Sequence, residues 1–480
     1  MIFQSVREMT EELRPAATVT PAGLDVGNPG AVTPLIVDRL AWTAAFGGDP
    51  EVRGTARWAI RGLASAAGIG LASIQDLYMA MGRGEVGGFT VPAINVRAMA
   101  YDTARAVIRA ARSLDAGTFI FEIARSEIGY TEQRPHEYAA VVLAAALREG
   151  FRGPIFLQGD HVQVNAKKYA GADREKELET IRSLIAEEIA AGFYNIDIDT
   201  STLVDLSKET LEEQQRTNCE LAAEFTKLIR GRQPQGVVVS VGGEIGEVGG
   251  KNSDVHELRA FMNGYNAALG KGVTGISKIS VQTGTAHGGF VMPDGTVRTD
   301  VKIDLETLLQ LSRVAREEYG LAGAVQHGAS TLPPDAFDAF PRVGACEIHL
   351  ATDFQNMIYE HPLFPAALKE EMYSWLRENA AEERKPKDTE GQFLYKARKK
   401  ALGPFKKQLW SMDQEVRSAI GKSLEERFAF LMKQLEVQQT AGTVAKFVSV
   451  KEVPASRGAE IQAAGGQITA SERKAEGLAD

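Results

Sequence analysis

The chain has 480 residues, a net charge of −9, and 44% hydrophobic and 24% charged residues, proportions of a globular protein that exclude a disordered or fibrous one. No run of about 18 apolar residues occurs, so no membrane-spanning helix is expected. The acidic balance argues against nucleic acid as the main partner, because a phosphate backbone needs a concentrated basic face; a small phosphorylated ligand needs only a few local donors.

The opening stretch, MIFQSVREMTEELRP, is charged and lacks an apolar h-region, so it does not read as a secretory signal. Residues 1–88 read as a helical N-terminal extension broken by Gly and Pro, with helices at 35–45 and 55–80, the second leading into the next domain and covering its bottom. From 89 to 358 one pattern repeats. A short β-branched or apolar run is followed by a turn and then by a stretch of helical period, the signature of βα units on a parallel sheet. The runs are VPAINV (91–96), GTFIFE (117–122), PIFLQGD (154–160), FYNIDID (193–199), GVVVSVGG (236–243), GISKISVQ (275–282), GAVQHG (323–328) and ACEIHL (345–350). Helices are expected between them at 98–113, 135–149, 174–191, 209–230, 255–269, 304–319 and about 333–340. Eight such units predict an α/β protein with a single (β/α)8 TIM barrel. A doubly wound sheet is disfavoured, because RAMAYDTARA after the first run has no glycine-rich phosphate fingerprint. Residues 359–440 are charged and helical, a C-terminal extension expected on the barrel side or against a partner subunit. Residues 441–480, small and polar from about 454, are expected to form a disordered tail. Cys219 and Cys346 lie in helix-like and strand-like surroundings and are expected as buried free thiols, which fits a reducing cytoplasm.

In this architecture the chemistry lies at the C-terminal ends of the strands. Four of the seven histidines, His161, His287, His327 and His349, fall there. Three imidazoles plus an open position is the catalytic zinc arrangement, which makes these histidines candidate ligands. Glu244 and Asp199 reach the same rim and either form a second metal position or orient ligands. Gly288 and Gly328 follow directly on two of the histidines, and glycine lets backbone N–H groups approach a phosphate closely. Ser330 and Thr352 add hydroxyl donors. Each residue also has a plainer role open to it. A single strand-end histidine is often only buried and hydrogen-bonded, and Asp199 competes as the cap of the turn after 200. Asp160 competes as an orienter of His161.

These residues resemble the class II, metal-dependent fructose-bisphosphate aldolases. The likeness is carried by GDH (159–161), IDTS (198–201), GEIG (243–246), TAHG (285–288), QHGAS (326–330) and TDFQ (352–355), in order and each at a strand end, over roughly residues 73–400. It implies reversible aldol cleavage of fructose 1,6-bisphosphate to dihydroxyacetone phosphate and glyceraldehyde 3-phosphate. It further implies a catalytic zinc on His161, His287 and His327, with Glu244 and Asp199 lining an inward metal position. Asp160 would be the acid/base at the aldehyde oxygen. Gly288, Gly328, Ser330 and Thr352 would hold the triose phosphate, and Arg398, in YKAR (395–398), the far phosphate. A monovalent cation is a further candidate cofactor, and a homo-oligomer in the cytoplasm is expected by analogy. The sequence departs from the family at the end of the eighth strand, where His349 stands for the usual Asn and Ala351 for the usual Asp. Tagatose 1,6-bisphosphate or another phosphorylated ketose therefore stays open as substrate, as does a metal-dependent sugar epimerase or isomerase. Lys278 sits in mid-strand and is not expected to be a nucleophile.

Overall fold

The computed structural model describes residues 1–20, 23–246, 251–284, 290–292, 297–298 and 303–466. Eight strands form a closed ring: β1 (Val91–Asn95), β2 (Ile120–Ala124), β3 (Gly153–Gln163), β4 (Asn195–Asp199), β5 (Ser240–Glu244), β6 (Lys278–Val281), β7 (Ala324–Gln326) and β8 (Glu347–Leu350). Each pairs in parallel with the next, and β8 returns to β1 with Glu347 opposite Val91 and Leu350 opposite Ile94. The (β/α)8 barrel expected from the alternation is the fold. Its strands are buried along their length apart from parts of β3 and Glu244 at the end of β5, as a sheet covered on both faces must be.

The helices that follow the strands cover the ring. Helix α1 (Ala100–Ser113) follows β1, α2 (Pro135–Arg148) follows β2 and α3 (Arg174–Ala191) follows β3; α4 (Leu211–Arg232), α5 (Val255–Leu269) and α6 (Leu305–Tyr319) continue the series. Several of their ends carry the local chemistry that stops or starts a helix. Asp254 accepts from the N–H groups of His256 and Glu257, and Glu257 returns a bond to the Asp254 N–H, a capping box at the head of α5. Gly192, at φ 89°, ends α3 in the left-handed region that glycine enters without a Cβ penalty.

The helix expected at 55–80 is three elements instead. A helix spans Pro50–Ala66, a strand Ile69–Ala72 pairs in parallel with the start of β3, and a second helix spans Gln75–Gly82. Gly68 at φ 76° breaks the first helix, and IGLA then finds an open edge below β4. Asn195 locks the insertion: its Oδ1 accepts from Ile74 N–H at 2.9 Å, and its Nδ2 donates to Leu157 O at 2.9 Å. The bottom of the barrel is thereby plugged, and Tyr78 reaches from the second helix to hydrogen-bond Glu347 of β8.

The C-terminal extension packs on the barrel side. Its long helix, Gln414–Gln434, lies along α1, with Arg417 on Asp102 at 3.0 Å and Arg109 on Glu425 at 2.6 Å. Trp410 is wedged among Trp42, Phe46 and Tyr101, tying both extensions to the barrel. The disorder expected from 441 does not hold over 441–466, where helices cover Ala441–Phe447 and Arg457–Ala463; residues 467–480 lie outside the described residues. The second docks on Pro50–Ala66 through a gap left by Gly54, where a Cβ would lie 2.4 Å from the Ile461 Cα. Buried Glu460 pairs there with Arg61 at 2.7 Å and His136 at 3.1 Å. Small, polar composition hid a helix whose partner is remote in sequence. Cys219 and Cys346 are buried free thiols as expected. Among the described residues no helix is long and apolar enough to cross a membrane.

Candidate active site

The site is built at the C-terminal ends of the strands, and its first element is a bulge. Along β3 and β4, Gly159 pairs with Ile196, but the next pair is Val162 with Ile198. Asp160 and His161 occupy the slip, and His161 takes φ 41°, in the left-handed region. Neighbouring residues of a regular strand face opposite sides. The bulge removes that rule here, and Asp160 and His161 both line the same cavity. A left-handed conformation in a residue with a Cβ is a cost that functional sites commonly carry.

His161 is held from behind by carboxylates. Its Nδ1 lies 3.0 Å from Asp199 Oδ2 and 3.3 Å from Glu244 Oε2. Asp199 also takes the N–H and hydroxyl of Ser201 on its other oxygen, at 3.1 and 2.6 Å, so the capping role and the role at His161 coexist. Burial raises the pKa of Glu244 to about 7, with Asp199 adding to the shift. Burial alone would depress the His161 pKa, but Asp160 and Glu244 outweigh it and hold it well above the ordinary value. His327, just past β7, stacks with its ring centroid 4.4 Å from that of His161, and its Nε2 lies 2.9 Å from Ser280 Oγ. Donor atoms of Asp160, His161 and His327 fall within 4.8 Å of one another, and so do those of His161, Asp199 and Glu244. An imidazole pair beside convergent carboxylates is a donor set that suits a divalent transition cation. His287 and Gly288 lie outside the described residues.

The cavity above this cluster holds about 840 Å³. Gly328, at φ 67°, Ser330 and Thr352 line it together with His349. Ser330 Oγ accepts the Ala351 N–H at 2.6 Å, which leaves its own proton to donate. Thr352 opens the helix Thr352–Tyr359, whose end offers unpaired N–H groups. Arg398 is not among the lining residues. Its guanidinium is buried over the rings of Tyr359 and Tyr395 and pairs with Glu360 at 2.5 Å. Its neighbours Lys396 and Lys399 line the cavity in its place, with Arg97, Arg125 and Lys168. Arg97 is paired with Glu127, Arg125 with Glu177 and Lys396 with Asp388. Among the described residues Lys399 has no carboxylate partner within ion-pair distance, so its charge is available to a ligand.

Beneath the cavity floor runs a charged network that the strand-end motifs did not reveal. Lys278 Nζ donates to Gln158 at 2.8 Å, to Asp197 at 2.9 Å and to Glu347. Glu347 also takes His349 Nε2 at 2.7 Å and the Tyr78 hydroxyl. Burial works against both charges, but their mutual attraction prevails: Lys278 is raised, and Glu347 is held down at about 2. A lysine kept protonated in this way is no nucleophile, in line with its mid-strand position. The available signal was a carboxylate inside an otherwise apolar run, in FIFEIA and ACEIHL. Alternation alone does not tell such a residue from one facing solvent.

A sequence model described as fructose-bisphosphate aldolase class-II matches residues 77–419. The chain belongs to that family. Class II aldolases are lyases of carbohydrate metabolism that act on small sugar phosphates and are generally metal-dependent, which agrees with the imidazole and carboxylate clusters here. Solved structures are similar at low identity. The fructose-bisphosphate aldolase of Campylobacter jejuni is 18% identical with a TM-score of 0.46, covering 77% of this chain and 96% of its own. The YdjI aldolase of Escherichia coli K12 is 14% identical with a TM-score of 0.44, covering 77% of this chain and 99% of its own.

Proposed function

We propose that this class II aldolase catalyses reversible, zinc-dependent cleavage of fructose 1,6-bisphosphate to dihydroxyacetone phosphate and glyceraldehyde 3-phosphate. The observation that carries the reading is the β3 bulge, which turns Asp160 and His161 into one cavity beside His327. His161 and His327, with His287, would hold the cation, and Asp199 and Glu244 would orient His161 or take the cation inward. A divalent cation held there supplies Lewis acidity, polarising the ketose carbonyl and stabilising the negative charge that develops as the C–C bond breaks.

The chain's own residues do the rest. Burial would raise the Asp160 pKa, but the imidazoles of His161, His349 and His327 outweigh it and hold the group well below the ordinary carboxylate range. Asp160 is therefore ionised at neutral pH and can accept the proton of the hydroxyl that becomes the aldehyde, returning it during condensation. Ser330, the Gly328 backbone and the N-terminus of helix Thr352–Tyr359 would hold one phosphate. Lys399, with Arg97 and Lys396, would hold the other across the cavity, a role the sequence suggested for Arg398. Tagatose 1,6-bisphosphate is the second reading, supported by His349 and Ala351 lining the cavity where the family usually has Asn and Asp.

A linked-dehydrogenase assay of triose phosphate release from each bisphosphate tests both. Turnover of fructose 1,6-bisphosphate that chelator abolishes and zinc restores is expected. Turnover that survives chelation, or a covalent adduct trapped by borohydride, would overturn the proposal.

A further inference from the structure

The floor of the cavity contains a group of three atoms whose bonding within the protein is incomplete. Glu122 Oε2, Asp160 Oδ1 and His349 Nδ1 are each buried, and none has an aligned hydrogen-bond partner. They nevertheless face one another: His349 Nδ1 lies 2.8 Å from Glu122 Oε2 and 3.2 Å from Asp160 Oδ1. One ring nitrogen carries at most one proton, so it can serve at most one of two carboxylates. Here it is aligned with neither. The other side of the same ring is already committed, with Nε2 on Glu347 at 2.7 Å.

The crowding of buried carboxylates around these atoms points the same way. Four buried carboxylates, Glu122, Asp160, Asp197 and Glu347, meet on this floor. The basic groups facing them are Lys278 and His349, with His161 and His327 on the Asp160 side. Buried carboxylates are costly unless each has a partner, and here two of them share one ring nitrogen. A divalent cation would give all three unaligned atoms a partner.

We propose that Glu122, Asp160 and His349 form a second divalent-cation site beside the one on His161 and His327. The donor atoms lie within 4.8 Å of one another. Two carboxylate oxygens and an imidazole suit a transition cation such as zinc or manganese rather than magnesium alone. All three residues line the cavity, so a cation held there would be open to the oxygens of a bound sugar. Only one Asp160 oxygen is needed as ligand, which leaves the other for the proton transfer already assigned to it. The two sites are close, since the His327 and His349 ring centroids are 4.0 Å apart. Paired cations clamp neighbouring oxygens of one substrate in other enzymes. The imidazole that completes the site stands at the strand-eight position where the family usually has Asn.

This inference rests on the first, metal-dependent site, and the test separates the two. The full chain is stripped with chelator, reloaded with zinc, desalted and measured for metal content. About two zinc ions per chain are expected for the wild type, and about one for His349→Asn, for Glu122→Gln and for His161→Ala, provided circular dichroism shows each folded. Reloading with manganese should give an electron paramagnetic resonance spectrum broadened by spin coupling in the wild type and a resolved six-line pattern in His349→Asn. One zinc in the wild type, lost in His161→Ala but kept in His349→Asn, overturns the second site and leaves the first standing. Two zinc ions retained in both His349→Asn and Glu122→Gln also overturn it, and no zinc at all overturns both readings. Even if every variant fails to fold, one zinc in the wild type, or a wild-type manganese spectrum free of spin coupling, overturns the second site.

Discussion

Replacing Lys278 by methionine tests the buried network from which the floor of the site is built. The ammonium is 1% exposed and lies 2.9 Å from Asp197 and in contact with Glu347. At that distance and an effective dielectric of about 20, the Lys278–Asp197 attraction alone is roughly 6 kcal/mol. Removing the lysine also removes the cost of burying it, so the net effect should fall to about 3–5 kcal/mol, the usual loss when one partner of a buried pair is deleted. The pH dependence fixes the cause. In the native chain Glu347 is held at about 2, below its unfolded value of about 4.3. It therefore contributes stability above pH ~4.3 that is lost as pH falls toward 2. Without Lys278 the buried carboxylates are pushed up instead, so the deficit should be full at neutral pH and shrink as pH is lowered toward about 4. Urea unfolding of wild type and variant at pH 7.5 and pH 5 measures both effects. A loss under about 1 kcal/mol at pH 7.5, or one that grows on acidification, would refute the electrostatic account.

Asp160→Asn should lower kcat by about 10²–10⁴, the range for losing a positioned acid/base, while metal analysis still finds zinc on the His161 side. Undiminished turnover would favour an epimerase or isomerase. Lys399→Ala should raise KM for the bisphosphate by roughly 10- to 100-fold, about what a charge-assisted bond contributes, with little change in kcat; an unchanged KM would remove it from the far-phosphate role. Gly54→Ala places a methyl group 2.4 Å from the Ile461 Cα and should release the helix Arg457–Ala463. Limited proteolysis near 457–466 should then be faster than in wild type, and equal rates would contradict the packing. Borohydride reduction in the presence of substrate should leave no adduct on the chain, because Lys278 is protonated and enclosed.

The sequence by itself determined the ring and the positions of most of the candidate site. Strand and helix periodicities are local properties, set by where apolar side chains must point, and eight alternations could close only as a barrel. Strand ends are local as well, which is why His161, Glu244, His327, Ser330 and Thr352 could be picked out beforehand. Tertiary structure decided what depends on partners distant in the chain. The slip between β3 and β4 turned Asp160 and His161 to one side, and no spacing rule in GDH announces a bulge. Arg398 was drawn away by Tyr359, Tyr395 and Glu360, leaving Lys399 at the cavity. The tail helix exists because Gly54 and Arg61 receive it, and a segment read alone shows no such receptor. Glu122 and Glu347 look like ordinary strand residues until closure places them opposite Lys278 and His349. A charge in a barrel interior acquires its meaning from what faces it, and that is fixed only when the ring closes.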